Sequence, residues 1–363
     1  MGNYNWSINS IKSLLSILKK MEKEEKDASK LLLIKKDITY IKEFISEYYN
    51  PPFESNLDLF EKFKLDKNTL MKMPFLWDDF IRFNKITELY SSSYIPKTLE
   101  LTNDDLLTIT HDFYSKSLNN EFYNQFIKNF NKRKNHITFD DCKDEPYSGM
   151  TIIIPSLNES FTKIKRTNTI SDVITTIHEY SHSTCSLINP YNYTKEKILY
   201  CEIESEFMEL IATDYLETIF KNGEAKLYRT SIHNDFKKHA EVLVNKINLI
   251  RYESTIINGY SSYEQLENLA YKKCNLFPEE LEDIINYKEM IPEIYLTGYL
   301  FALELYNLYK KDKDKALDFF KRIILLDCKT EEKYYNSIKS FGLIPTKSVS
   351  EFQKKLEKNN RKN

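Results

Sequence analysis

Glycine and proline are scarce in this chain, six and ten among 363 residues. With so few turn formers and helix breakers, and with Leu, Ile, Lys and Glu recurring at helical spacing, the fold is expected to be mainly α. Cysteine is also sparse. Cys142, Cys185, Cys201, Cys274 and Cys328 form an odd set without a close pair, which excludes a disulfide framework or a thiolate zinc site. They read instead as small buried hydrophobes in a reducing compartment. Charge of one sign is missing too: 52 basic residues stand against 54 acidic ones, and neither half of the chain is strongly one sign. No electrostatic footprint for DNA or RNA results, and no nucleic-acid partner is expected. Nowhere does an apolar run approach the roughly 18 residues needed to span a bilayer, and Met1 to Trp6 lack a basic segment followed by an apolar one. Trp6 occupies the position where a myristoylation signal at Gly2 would want Ser or Thr. The expectation is a cytoplasmic protein with no membrane partner.

What is present is ample apolar content, 41%, enough for a real core. Between residues 7 and 48, Ile11, Leu14, Leu15, Leu18 and Met21 keep a spacing of three and four, while Lys19 to Lys30 supply a mixed-charge solvated face. Asn50, Pro51 and Pro52 break the pattern, and further helices are expected from about 56 to 130. The character changes between 135 and 155. There His136 to Phe139 and Met150 to Pro155 are rich in β-branched residues and flanked by Asp144, Pro146 and Gly149, so a small sheet is expected. The helical period returns at Ser171. Residues 1–134 therefore read as an N-terminal helical region, 135–345 as the unit that carries the chemistry, and 346–363 as a C-terminal helix with a frayed tail.

The chemistry is concentrated in two neighbouring helices. Ser171 to Asn189 reads SDVITTIHEYSHSTCSLIN, with Ser171 as the expected cap and Asn189-Pro190 as the stop. His178 and His182 lie one turn apart on one face, so both imidazoles can converge on one ion, and Glu179 sits about 100° round, where it can reach a water on that ion. A site with two histidines needs a third protein ligand and an open position. On the next helix Glu202, Ser205, Glu206 and Glu209 fall at i, i+3, i+4 and i+7, with Ile203, Phe207, Leu210 and Ile211 on the other side. Such a stripe is ordinarily a solvated face, yet those on lysine-rich chains interleave lysine and this one has none from 198 to 220.

HEYSH at 178 to 182, followed by Glu202, Ile203, Ser205 and Glu209, resembles the M3 family of metallopeptidases, the thimet oligopeptidase and oligoendopeptidase F group. Agreement extends upstream to Tyr147 through Pro155 and Asp172-Val173, and downstream to Tyr295 through Ala302 and Phe341-Gly342-Leu343, so it spans about 145 to 345. The resemblance implies a helical gluzincin-type fold with a small β-sheet beside the active-site helix. It implies one zinc ion per chain held by His178, His182 and Glu202, with Ser205 and Glu209 in support and Glu206 as the rival ligand. It also implies that Glu179 is the general base, that Tyr299 is the first candidate for an oxyanion donor with Tyr295 in reserve, and that the substrate is a short peptide. Gly149, Met150, Thr151 and Ile152 correspond to the strand that pairs with substrate, provided that strand has an open edge. Only 177 residues precede His178, fewer than the family usually has, so a reduced lid is expected. Two other readings remain open: a peptide-binding or scaffold protein without turnover, and a metallocarboxypeptidase. His111, His136, His233 and His239 show no ligand spacing and are assigned to packing or surface.

Overall fold

The computed structural model describes residues 8–49, 57–87, 94–140, 148–189, 195–256, 259–287 and 292–360. Its helices are α1 (Ile8–Glu24), α2 (Ala28–Tyr49), α3 (Leu59–Leu70), α4 (Trp77–Ile86), α5 (Asn103–Ser117), α6 (Asn120–Phe130) and the short α7 (Arg133–His136). Three strands follow, β1 (Ile137–Asp140), β2 (Gly149–Ile154) and β3 (Glu159–Lys165). Then come α8 (Ile170–Ile188), α9 (Lys195–Ile198), α10 (Glu202–Phe220), α11 (Glu224–Glu253), α12 (Tyr263–Leu269) and α13 (Pro278–Asn286). The chain ends with α14 (Pro292–Lys311), α15 (Lys313–Leu325), α16 (Glu331–Ser340) and α17 (Val349–Asn360). The fold is mainly α with a small sheet, as composition implies. The expected breaks at Pro51-Pro52 and Pro190, and the flanking residues Asp144, Pro146 and Tyr147, lie outside the described residues.

The sheet has the order β1-β3-β2, with β1 parallel and β2 antiparallel to β3. Strand β3 was not anticipated from the sequence: in ESFTKIK the apolar residues are few, and charged and hydroxyl residues separate them. Being central, it is stabilised by two neighbours rather than by its own pattern. Strand β2 is an edge among the described residues. Its run Ile152-Ile153-Ile154 is nonetheless apolar, because both faces of the strand are covered. One face carries Gly149 and Thr151 toward α8; the opposite face puts Ile152 and Ile154 into a satellite core with Ile11, Leu18, Ile34, Ile38 and Ile41 of the α1–α2 hairpin. Asp37 of α2 fixes that hairpin by accepting a 2.8 Å hydrogen bond from the Ser156 amide.

The main core is continuous from Phe63 to Leu356, so residues on both sides of position 134 share it. Helix α8 runs through it. Rich in Ile, Val and Thr, this segment has weak intrinsic helix propensity, and packing on all sides holds it helical. The helix begins at Ile170 with Thr169 rather than Ser171 as its cap, because Thr169 has the extended backbone that lets its hydroxyl accept from the Ser171 amide. Asp172, fully buried in the first turn, accepts from the Thr167 and Asn168 amides and from Arg166 Nε at 2.8–2.9 Å. Arg166 in turn donates to the Leu101 carbonyl, so the start of α8 is tied both to the end of β3 and to the approach to α5. Helix α10 packs along α8 on one side and α14 on the other.

Candidate metal centre

Along α8 only Ser171, His178, His182 and Ile188 are not buried, so the two histidines are the sole mid-helix positions that open outward. They face the N-terminal turns of α10. Glu202, Ser205 and Glu206 are all buried there, and Glu209 is partly so, which rules out a solvated acidic face. Close approach of the helices depends on glycine at one point. A Cβ on Gly298 of α14 would stand 2.6 Å from Glu202 Cβ and 2.8 Å from its carbonyl carbon. Ser181 Oγ donates to the Glu204 carbonyl at 2.8 Å and locks α8 to α10 from the other side.

These contacts bring three ligand atoms together. His178 Nε2 and His182 Nε2 are 3.2 Å apart, and each lies 3.4 Å from Glu202 Oε2. Donors placed tetrahedrally about 2.0–2.1 Å from zinc are about 3.3 Å from one another, so the triangle has the edge length that a zinc ion requires. The expected third ligand, Glu202, is therefore the carboxylate that meets both histidines. Its other interactions hold it still: Ser205 Oγ donates to Oε2 at 2.7 Å. Glu209 Oε1 lies 2.7 Å from His178 Nδ1, the arrangement in which a carboxylate orients a ligating imidazole and fixes its tautomer. A second grouping, His178 with Glu206 and Glu209, also has its ligand atoms within 4.8 Å, and in it Glu209 already pairs with His178 Nδ1.

The electrostatics match a cation site. Burial disfavours the imidazolium of His178, yet Glu202 and Glu209 outweigh it and raise its pKa well above the ordinary value. Burial likewise opposes charge on His182, and Glu202 again raises it. Glu202 moves the other way, well below the carboxylate range, because the two imidazoles overcome its desolvation. Burial pushes Glu206 well up, reinforced by Glu209. Deprotonated Glu202 beside two imidazoles, which would give up their protons to a metal, is a donor set suited to a divalent ion with one position left open.

Glu179 sits beside this triangle and is buried, which raises its pKa, with the two imidazoles and a hydroxyl partly offsetting the effect. That hydroxyl is Thr151 Oγ1 on β2, which donates to Glu179 Oε2 at 2.6 Å. The other oxygen, Oε1, abuts Gly149, where a Cβ would come within 2.6 Å. Thus Gly149 and Thr151, expected only as substrate-strand residues, also cradle the carboxylate; Met150 and Ile152 point to the other face of β2. The sequence signal for this role was present but slight, a Gly-x-Thr at period two on a strand beside the motif helix.

The two tyrosines separate. Tyr299 is fully buried, stacked on Phe236 with centroids 4.0 Å apart, and its hydroxyl meets His233 Nδ1 at 2.9 Å on the α11 side of α14. Tyr295, one turn earlier and only partly buried, feels Glu202, Glu179 and Glu206; burial and those charges raise its phenol well above the ordinary value, so it stays protonated. Of the remaining histidines, His233 and His239 are buried, His136 pairs with Glu159 and stacks on Phe161, and His111 bonds the Tyr123 hydroxyl at 3.0 Å. The four described cysteines are all free. No helix among the described residues is long and apolar enough to cross a membrane.

No family model matches the chain, and no curated protein matches it in sequence. Solved structures do resemble it. Against a protein described as an oligoendopeptidase F from Bacillus anthracis, 98% of this chain aligns with 68% of that one at 14% identity and a TM-score of 0.50. A protein described as a peptidase from Chlamydophila abortus aligns with 97% of this chain and 63% of its own, at 12% identity and 0.48. PZ peptidase A aligns with 99% and 70%, at 13% and 0.45. The first of these likenesses gives the chain the M3-type oligopeptidase fold anticipated from its motifs; at such identity it is a likeness of fold.

Proposed function

We propose that this chain is a zinc-dependent peptidase that hydrolyses internal bonds of short peptides. The observation that carries the reading is the donor triangle of His178, His182 and Glu202, with edges of 3.2, 3.4 and 3.4 Å, beside a buried carboxylate that is not one of its corners. A zinc ion held by these three residues supplies a Lewis acid that lowers the pKa of a water and polarises a carbonyl.

The chain's own residues supply the remaining chemistry. Glu179 takes the proton of the attacking water as its oxygen adds to the scissile carbonyl carbon, and delivers that proton to the amine nitrogen as the C–N bond breaks. Thr151 keeps the receiving carboxylate in one orientation. Tyr295, protonated and facing the same acidic groups, donates to the carbonyl oxygen as it becomes anionic, the task for which Tyr299 was the first sequence candidate. Strand β2, an edge among the described residues, offers its backbone to an extended peptide, which favours broad tolerance of side chains along it.

The test is metal analysis joined to cleavage mapping. Purified protein is expected to hold one zinc per chain and to cut a mixed pool of short peptides at internal bonds, and Glu179→Gln to keep the metal while losing turnover. Full activity in that variant would sink the mechanism. Release of single C-terminal residues alone would favour a carboxypeptidase, and peptide binding with no cleavage a scaffold.

A further inference from the structure

A cavity of about 450 Å³ lies between α3, α9, α13 and the first turn of α14. That volume is within the range of about 300–1,000 Å³ typical of small-ligand sites. Its walls are apolar, formed by Leu57, Leu65, Ile198, Leu199, Ile285 and Ile294, of which Leu65 and Ile198 remain about half exposed at the rim. Among the described residues its charge is acidic: Asp66, Glu293 and Glu331 line it against the cation Lys62. The ammonium of Lys62 is directed to Asn286 Oδ1 at 2.7 Å, and Asp66 is matched by buried Lys246 at 2.7 Å. Glu293 is different. Its residue is 9% exposed, burial raises its pKa, its own backbone amide bonds it, and Lys246, whose charge acts on it, is already held by Asp66. A carboxylate so placed in an apolar cavity is stabilised by an incoming cation with an aliphatic stem.

The cavity shares α14 and the approach to α10 with the metal centre. Ile294 immediately precedes Tyr295, Leu199 stands three residues before Glu202, and α14 meets α10 where Gly298 touches Glu202. Glu293 and Gly298 are about 7.5 Å apart along the helix axis at 1.5 Å per residue. An extended peptide advances about 3.3 Å per residue, so two or three residues span that axial distance.

We propose that this cavity binds a basic side chain of the substrate, arginine or lysine, with its stem against the apolar walls and its cation on Glu293. The proposal rests on the peptidase reading above, and it defines a preference for peptides carrying a basic residue near the cleaved bond.

Two probes test the cavity without turnover, n-butylguanidinium and its neutral counterpart n-butylurea, titrated into the full chain by NMR. The cation is expected to bind about tenfold or more tighter, the difference that a charge-assisted hydrogen bond makes. Glu293→Gln should bring the two probes level, and Leu65→Lys, at an exposed position of the rim, should weaken the cation selectively without altering the melting temperature. Equal affinities in the unaltered chain, or a preference that survives in Glu293→Gln, would overturn the site. Hexapeptides that differ only in arginine or norleucine at one position give the second arm. A kcat/KM ratio of about ten or more, falling to near one in Glu293→Gln, is expected from the same interaction. Equal cleavage of both would remove the cavity from substrate binding. Selective binding of the cation with neither peptide cut would instead sink the peptidase reading and leave the cation site standing.

Discussion

Gly298→Ala should uncouple zinc binding from the fold. The new Cβ would lie 2.6 Å from Glu202 Cβ, 2.8 Å from its carbonyl carbon and 3.1 Å from its carbonyl oxygen, two of them backbone atoms that cannot rotate away. Carbon atoms in ordinary contact are about 3.5–4.0 Å apart, so α10 and α14 must separate locally by about 1 Å. Overpacking of this kind costs about 1–3 kcal/mol, well below what unfolds a large core. The ligand bond is less forgiving, since zinc sites hold their distances to within about 0.2 Å. A shift of Glu202 by about 1 Å should therefore lower zinc affinity on the order of 100-fold, the upper range for disturbances that spare the ligand itself. Chelator competition measures the affinity, and melting in excess chelator measures the fold separately. Gly149→Ala supplies the contrast, because its Cβ would strike Glu179 Oε1 and Thr175 Cγ2, both at 2.6 Å, and touch no ligand. Turnover should fall there while zinc affinity holds. Wild-type zinc affinity in Gly298→Ala would refute the claim that this crossing sets the third ligand.

Thr151→Val removes the 2.6 Å hydrogen bond to Glu179, and kcat should drop roughly tenfold to hundredfold for the loss of a bond to a charged group, with zinc content and KM kept and Thr151→Ser restoring the rate. Glu209→Gln should weaken zinc binding by about 10–100-fold in chelator competition, because His178 loses the carboxylate that orients its Nδ1 side. His233, buried and with its pKa lowered to about 4, is neutral in the folded chain, whereas the unfolded chain takes up that proton below about 6.5. Its contribution is thus complete above pH 6.5 and is lost as pH falls toward 4, up to about 3 kcal/mol on linkage. Urea unfolding of the chelated protein across that window should show His233→Gln with the shallower acid limb, and parallel limbs would exclude the assignment.

How far the sequence could be read depended on whether a signal was local. The histidine pair, Glu179 and the acidic stripe each sit within one helix, where the 3.6-residue period alone sets which face a side chain shares; that period left Glu202 and Glu206 level, and the structure brings Glu202 to both histidines. Strand β3 left no such trace, since a central strand takes its stability from β1 and β2 on either side and its own residues need not alternate. The tyrosines mark the same boundary from another direction. Tyr295 and Tyr299 are one turn apart on α14 and so nearly equivalent to a periodic reading, with an angular drift of about 40° over four residues, yet one feels the charge of Glu202 and the other bonds His233. Which of the two faces the cluster is decided by how α14 rolls against α10, and the roll is set at Gly298, where the absence of a side chain lets the helices meet backbone to side chain. A glycine between two tyrosines therefore held the missing information, in a form that only the partner helix makes visible.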